Sequence, residues 1–254
     1  MVKRVIGKIL QTDRIDKYEG VLQHARKQGY VLCSLKDWYA KHRDTEEKVL
    51  VLRHDVDYDA DGAYRFFQLE RQLGATSSFY FRWKTMSPPV MREMHQNNFE
   101  VSLHYETLAT YAKKYHLFKK NDINDRIIET CQAILSAEIK RFEQTYFKIY
   151  SICSHGDKRN RILDTPNHVI VDQKFKAKHK IIFETYDAEI MSEFDAYISD
   201  SSIYSDFEWK HAGSPCKMID EKRQTICLLT HPIHWNQSFF KNIRMLFAIY
   251  SDNR

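Results

Sequence analysis

Residues 49 to 57 read Val-Leu-Val-Leu-Arg-His-Asp-Val-Asp, four apolar residues followed by an arginine, an imidazole and two carboxylates. An uninterrupted apolar run predicts a strand covered on both faces, and in parallel sheets chemistry gathers where such strands stop. Three further segments end in the same way: Leu103-His104-Tyr105-Glu106, Ser154-His155-Gly156-Asp157 and Thr230-His231-Pro232-Ile233-His234-Trp235. If parallel strands bring these ends to one rim, imidazoles and carboxylates from four strands meet there, as catalytic groups do in α/β barrels. Asp57, His104 and His155 then form a one-carboxylate, two-imidazole set suited to a divalent ion such as zinc, with a position left for water. Asp55 stands two residues before Asp57, on the same side of an extended strand, and can take a proton from an attacking water. His231 can protonate a leaving group from the opposite side.

Positioning those ends requires an alternating scaffold. Ile15, Tyr18, Val21, Leu22 and Ala25 recur at helical spacing, with Gly29 as a stop. A strand through Leu52, a helix from about Asp59 to Leu73, Gly74 as a break, and a strand from Ser77 to Phe81 follow. The rhythm continues with a helix near 89–96, a strand at 100–103, a helix over about 121–142 and a strand at 148–153. Strands at 181–184, 196–199 and 225–230 come next, and a helix over about 237–250 closes the chain. Such alternation predicts a parallel sheet with crossover helices, an α/β fold. Seven strands favour a seven-stranded or incomplete barrel over an eight-unit one. Residues 159–180 are polar and irregular, and predict a long surface loop of the kind that serves as a lid or substrate-binding segment. No repeat or Gly- or Ser-rich linker divides the 254 residues, so a single domain over 1–254 is expected, with a helical lead over about 1–47.

Composition narrows the function classes. Seven glycines, five prolines and 13% aromatic residues describe a compact globule. A formal charge of +5, spread along the chain, gives weak attraction to anions and nothing stronger. Lys113-Lys114 and Lys119-Lys120 read as solvated helix faces, no nucleic-acid motif surrounds them, and no nucleic-acid partner is expected. The five cysteines (Cys33, Cys131, Cys153, Cys216, Cys227) have no C-x-x-C spacing and read as reduced core residues. The first eight residues lack the apolar stretch of a signal peptide, and no segment reaches about 18 apolar residues. A cytoplasmic protein without a membrane span is the expectation.

Five blocks, in order, carry a family resemblance: Leu52-Arg53-His54-Asp55-Val56-Asp57, Phe99-Glu100-Val101-Ser102-Leu103-His104-Tyr105-Glu106, Ser151-Ile152-Cys153-Ser154-His155-Gly156, Tyr197-Ile198-Ser199-Asp200-Ser201 and Leu228-Leu229-Thr230-His231-Pro232-Ile233-His234-Trp235. Together they resemble polysaccharide deacetylase-like proteins, the NodB-homology group of carbohydrate esterases, in the branch that bears His-Asp-Val-Asp and is associated with bacterial surface-polysaccharide biosynthesis. The resemblance implies a distorted seven-stranded (β/α) barrel and a divalent metal, zinc. It also implies a hydrolase that removes an acyl group, above all N-acetyl, from a sugar, nucleotide-sugar or glycan precursor. It further implies Asp55 as base, Asp57 as metal ligand, His231 as general acid, and Arg82 as the group that orients the base. One departure stands out. The family's second motif has two histidines four residues apart, whereas Leu108 stands four residues after His104. The third ligand therefore passes to His155, with Glu106 and His54 as alternatives. If none serves, the other reading is a glycan-binding or assembly protein with impaired catalysis.

Other residues have plainer readings. Asp200 is expected to orient a histidine, hold a substrate hydroxyl or cap a helix. Trp235 either stacks on a sugar face or fills the core. His24, His95, His116, His168, His179 and His211 lack a partner at motif spacing and read as surface or structural. Phe239, Phe240, Ile243, Leu246, Phe247 and Tyr250 form a stripe expected to pack against the sheet, with membrane contact as the lesser reading.

Overall fold

The structure is a computed structural model that describes residues 9–200 and 209–252. Ser201 and the first eight residues, which figure in the sequence reading, lie outside the described residues. The strands are β1 (Val31–Cys33), β2 (Val49–Val56), β3 (Ser78–Phe81), β4 (Glu100–Tyr105), β5 (Ser151–Ser154), β6 (Phe183–Glu184), β7 (Ala196–Ser199), β8 (Lys210–His211) and β9 (Thr225–Thr230). The longer helices are α1 (Ile15–Lys27), α2 (Ala60–Gln72), α3 (Pro88–Gln96), α4 (Thr107–Lys114), α5 (Asp125–Thr145), α6 (Lys158–Leu163), α7 (Gln173–His179), α8 (Pro215–Asp220) and α9 (Phe239–Asp252). This is the expected α/β fold. All seven expected strands are present, and β1 and β8 are too short to leave a periodic signal. No helix among the described residues is long and apolar enough to cross a membrane.

The chain forms two compact units. The first comprises Met1–Phe79, Lys84–Val101 and Ser192–Arg254, and the second Tyr80–Trp83 and Ser102–Met191. β3 and β4 contribute residues to both. In the first unit the strand order is β4-β3-β2-β9-β7-β8, with β1 also paired to β2. The pairs β1–β2, β2–β9 and β7–β9 are parallel, and only the β7–β8 edge is antiparallel among the registers described. In the second unit the order is β3-β4-β5-β6, with β4–β5 and β5–β6 parallel.

β2 is buried along all eight residues, as its unbroken apolar start predicts. α1 buries Tyr18, Val21, Leu22 and Ala25, the positions its periodicity marks. The carboxylate of Asp59 caps α2 by accepting from the Gly62 amide at 2.9 Å, and a Cβ at position 62 would overlap that carboxylate. α2 then places Phe66, Phe67 and Glu70 in the interior.

Two expectations need correction. Residues 159–180 do not form a loop: they hold all but the first residue of α6, a 3-10 turn at Asn167–Ile170, and α7. Local polar chemistry makes this order, which apolar periodicity cannot reveal. Asp157 and Asn160 form a capping box on α6, Asp172 caps α7 through the Phe175 amide, and Asp164 and Lys180 end the two helices in the left-handed conformation. The aromatic stripe of α9 does not pack inward as a whole, because Phe239, Phe240 and Phe247 are exposed. α9 instead seats Asn242, whose amide donates to the carbonyls of Ile9 and Gln11.

Beneath the rim, the first unit buries a polar network. His54 Nδ1 lies 2.7 Å from Thr230 Oγ1, and His54 Nε2 lies 2.8 Å from Glu70 Oε1. Glu70 also accepts from the Tyr18 hydroxyl and from Ser77 Oγ, each at 2.5 Å. His54, Glu70, Ser77 and Thr230 have no solvent exposure. Removing one member leaves buried donors without an acceptor. Glu70→Ala is expected to lower unfolding free energy by about 3–5 kcal/mol in urea denaturation; a loss under 1 kcal/mol would show that the network carries no such role.

Candidate active site

In the first unit, the β2–β9 register pairs His54 with Thr230, so the residues just beyond, Asp55 to Asp57 on one strand and His231 on the other, share one end of the sheet. Alternation turns Arg53 and Asp55 to one face and His54 to the other. Arg53 Nε and Nη2 donate to the two oxygens of Asp55 at 2.9 and 2.8 Å, a bidentate pair almost wholly removed from solvent. His54 instead faces Tyr18, Phe66 and Phe79 and belongs to the buried network, which sets it apart from the rim. Arg53 is a site residue that the sequence reading passed over. Its signal was available: it precedes Asp55 by two, on the same face of the strand.

Asp57 lies just past β2 and is half-buried, with its Oδ2 4.0 Å from His231 Nε2. Asp200, directly after β7, organises the opposite side. Its carboxylate accepts from His231 Nδ1 at 2.6 Å, the His231 amide at 2.9 Å and the Trp235 indole at 2.7 Å. His234 Nδ1 lies 3.2 Å from Asp200 Oδ2 and 3.0 Å from its backbone carbonyl. Burial alone would lower the pKa of His231, but the Asp200 carboxylate, through charge and hydrogen bond, with Asp57 and Asp55 adding, raises it to about 9. Burial raises Asp200 in turn, and the charges and hydrogen bonds of His234 and His231 outweigh it and hold this carboxyl well below its ordinary range. A charged His231 is a proton donor and not a metal ligand. Trp235 is core: its ring packs near Tyr18, Phe66 and Trp209 at 5.7, 6.3 and 5.5 Å. Its tie to Asp200 had no sequence signal.

In the second unit, β4 and β5 lie in parallel with His104 opposite Cys153, so His104 and the following His155 stand on adjacent strands. Their rings meet edge to face at 5.2 Å, interplanar angle 90°. His104 Nδ1 donates to the Cys153 carbonyl at 3.0 Å. That bond fixes the tautomer and the orientation of the ring, the arrangement that metal-ligating histidines use, so the imidazole donors fit a divalent ion. His155 Nδ1 lies 3.3 Å from Glu106 Oε2, and Asn167 Nδ2 holds the His155 carbonyl at 2.6 Å. Arg82 donates to both oxygens of Glu106, at 3.3 and 2.5 Å. Burial raises Glu106, but hydrogen bonds and charge from His155 and Arg82 prevail and hold it well below the usual carboxylate range. Glu106, His155 and Asp157 also offer donor atoms within 4.8 Å of one another. Arg82 and Lys113 already balance those two carboxylates, the latter at 2.5 Å from Asp157. Leu108 is fully buried in α4, where a second motif histidine would sit among apolar groups. Of the expected site residues, Asp55, Asp57 and His231 thus belong to the first unit, and Arg82, His104 and His155 to the second.

No family model matches the chain, and no curated protein does. Several solved structures are similar to it. A CE4 family pseudoenzyme from Bacillus anthracis is 13% identical over 83% of this chain and 62% of its own, with a TM-score of 0.42. A peptidoglycan deacetylase from Bacillus subtilis is 10% identical over 81% of this chain and 85% of its own, TM-score 0.44. A family 4 carbohydrate esterase from Bacillus anthracis is 12% identical over 94% and 85%, TM-score 0.41. The chain spans less than two thirds of the length of the pseudoenzyme it matches. The functional reading rests on this chain's own residues.

The His231–Asp200 pair has a pH signature. Because the folded value of His231 lies above its ordinary 6.5, the pair's stabilisation is complete below about pH 6.5 and is lost as pH rises through about 9. Wild-type unfolding free energy is therefore expected to fall by on the order of 3 kcal/mol between pH 6 and 9.5. In Asp200→Asn that decline should largely vanish, and the imidazole titration followed by NMR should move back toward 6.5.

Proposed function

We propose that the protein is a metal-dependent hydrolase that removes an acyl group, N-acetyl first among them, from a sugar or glycan precursor. The observation that carries this reading is the pairing, in one unit, of a carboxylate held by Arg53 with an imidazole charged by Asp200, at the ends of adjacent strands. One group suits a base and the other an acid, the division of roles that amide hydrolysis needs. Asp57, His104 and His155 would hold a divalent ion, zinc by the character of one carboxylate and two imidazoles, which when bound supplies a Lewis acid that activates water and offsets charge on the carbonyl oxygen.

The chain's own groups move the protons. Asp55 takes a proton as a water oxygen bonds to the acyl carbon, and Arg53 keeps its carboxylate aimed throughout. As the carbon–nitrogen bond breaks, the electron pair stays on nitrogen and His231 delivers its Nε2 proton to the departing amine. A carboxylic acid and a free amino sugar result. Asp200 offsets the imidazolium charge before the transfer and fixes the tautomer that points Nε2 outward. Arg82 fixes Glu106, whose carboxylate lies 3.3 Å from His155 Nδ1, an orienting role one step from the chemistry.

Two measurements test the reading. Purified protein should bind about one zinc per chain, and Asp57→Ala should lose it; stoichiometric metal surviving that substitution would sink the ligand set. With N-acetylglucosamine oligomers as probe, Asp55→Asn and His231→Gln should each lower kcat/KM by about 100- to 10,000-fold with the fold intact by circular dichroism.

A further inference from the structure

The first unit holds a cavity of about 710 Å3, walled by the start of α2, the segment from Lys84 to Met86, and α9. Its size lies within the roughly 300–1,000 Å3 of small-molecule sites. Every wall belongs to the unit that carries Asp55, Asp57 and His231. Resting on the reading above, we propose that this cavity binds a nucleoside diphosphate, so that the sugar whose acyl group is removed arrives as a sugar nucleotide and not as part of a finished polymer.

The lining divides into the parts that such a ligand has. Lys84, Lys241 and Arg244 bring cationic groups to the one cavity. Lys241 is committed, its Nζ 2.7 Å from Asp59 Oδ2. Lys84 is exposed and stands 4.1 Å over the Tyr58 ring, and exposed Arg244 has no ion-pair partner among the described residues. An ammonium and a guanidinium fork open to solvent suit the oxygens of a diphosphate. Phe240, 83% exposed, offers a ring face on which a planar base can stack. Asp61 is exposed in the first turn of α2, and a carboxylate there can accept from the vicinal hydroxyls of a ribose. Met245 and Ala248 complete the apolar side. Other occupants use less of this lining. Free phosphate leaves the ring and the apolar side without a role, a neutral glycan leaves the cations uncompensated, and a lipid diphosphate meets the carboxylate of Asp61.

The walls are fixed before any ligand arrives. Thr85 Oγ1 donates to the Val56 carbonyl at 2.6 Å, which fastens that segment to the end of β2. Asp59 accepts from the Gly62 amide at 2.9 Å, from Asn236 Nδ2 at 3.3 Å and from Lys241, so one carboxylate ties α2 to α9. A site already ordered loses little freedom on binding. Position joins the cavity to the chemistry. Tyr58 opens it one residue, about 3.8 Å of backbone, beyond Asp57, whose carboxylate lies 4.0 Å from His231 Nε2. A sugar attached to a diphosphate held here therefore extends toward the end of β2.

The experiment titrates UDP, dTDP, GDP and ADP into the native chain, Arg244→Ala and Phe240→Ala by isothermal titration calorimetry, with inorganic pyrophosphate and farnesyl diphosphate as comparison ligands. At least one nucleotide is expected to bind the native chain about tenfold more tightly than either comparison ligand, and each variant is expected to lose about tenfold of that affinity. Both residues are exposed, so neither substitution opens the core, and circular dichroism should report an intact fold. Pyrophosphate or farnesyl diphosphate binding as tightly as the best nucleotide overturns the nucleoside assignment. Nucleotide affinity unchanged in Arg244→Ala or in Phe240→Ala overturns the site. None of the four nucleotides carries an acyl group, so binding is scored apart from hydrolysis. Nucleotide affinity without deacylation of UDP-N-acetylglucosamine supports the site and counts against the reaction, whereas deacylation of N-acetylglucosamine oligomers without nucleotide affinity does the reverse.

Discussion

The parallel register of β2 on β9 is the constraint on which the first unit depends. It sets His54 opposite Thr230, and therefore sets Asp55, Asp57 and His231 at one end of the sheet. A slip of one residue would turn Asp55 to the helix-covered face and His54 to the rim. The buried His54–Glu70–Thr230 bonds oppose such a slip, because they are made only in this register and their loss would strand polar groups away from water. The same residues that look catalytic in a linear reading thus divide into two jobs. Asp55 serves the rim, and His54 secures the strand that carries it.

Above the network, three interior charges have a partner of opposite sign. Arg53 matches Asp55, Asp200 matches His231, and Arg82 matches Glu106. Isolated, each of these groups would neutralise or draw in water, since burial penalises the charged form heavily. Paired, they hold fixed dipoles and charges in place before any substrate arrives, which is the condition for electrostatic catalysis. Asp200 illustrates the economy of the arrangement: three donors from the His231 to Trp235 turn converge on one carboxylate, so one side chain orients the proton donor and closes the turn beneath it.

The linear pattern carried much of this. Apolar runs ending in histidines and carboxylates pointed to the strand ends that carry these groups in each unit, and the spacing of Asp55 and Asp57 placed both on one face of an extended strand. The helices of α1 and α2 declared themselves through periodic apolar residues that the fold indeed buries. Where apolar periodicity was absent, the reading failed. Residues 159–180 are ordered by Asp and Asn caps and left-handed stops, and they make the wall of a cavity. The stripe of α9 followed a helical period, yet periodicity cannot say what lies opposite, and three of its phenylalanines face solvent.

The amino-acid sequence by itself determined the alternation of strands and helices, the α/β class and the residue types at each strand end, because these follow from local sterics and from periods of two and 3.6 residues. Only the tertiary structure decided which charged group answers which. Asp200 charges His231, and Trp235 joins the core while donating to Asp200. The reason is physical: pairing of buried charges depends on distance and desolvation between residues far apart in the chain, such as 200 and 231, and neither quantity is written in linear order.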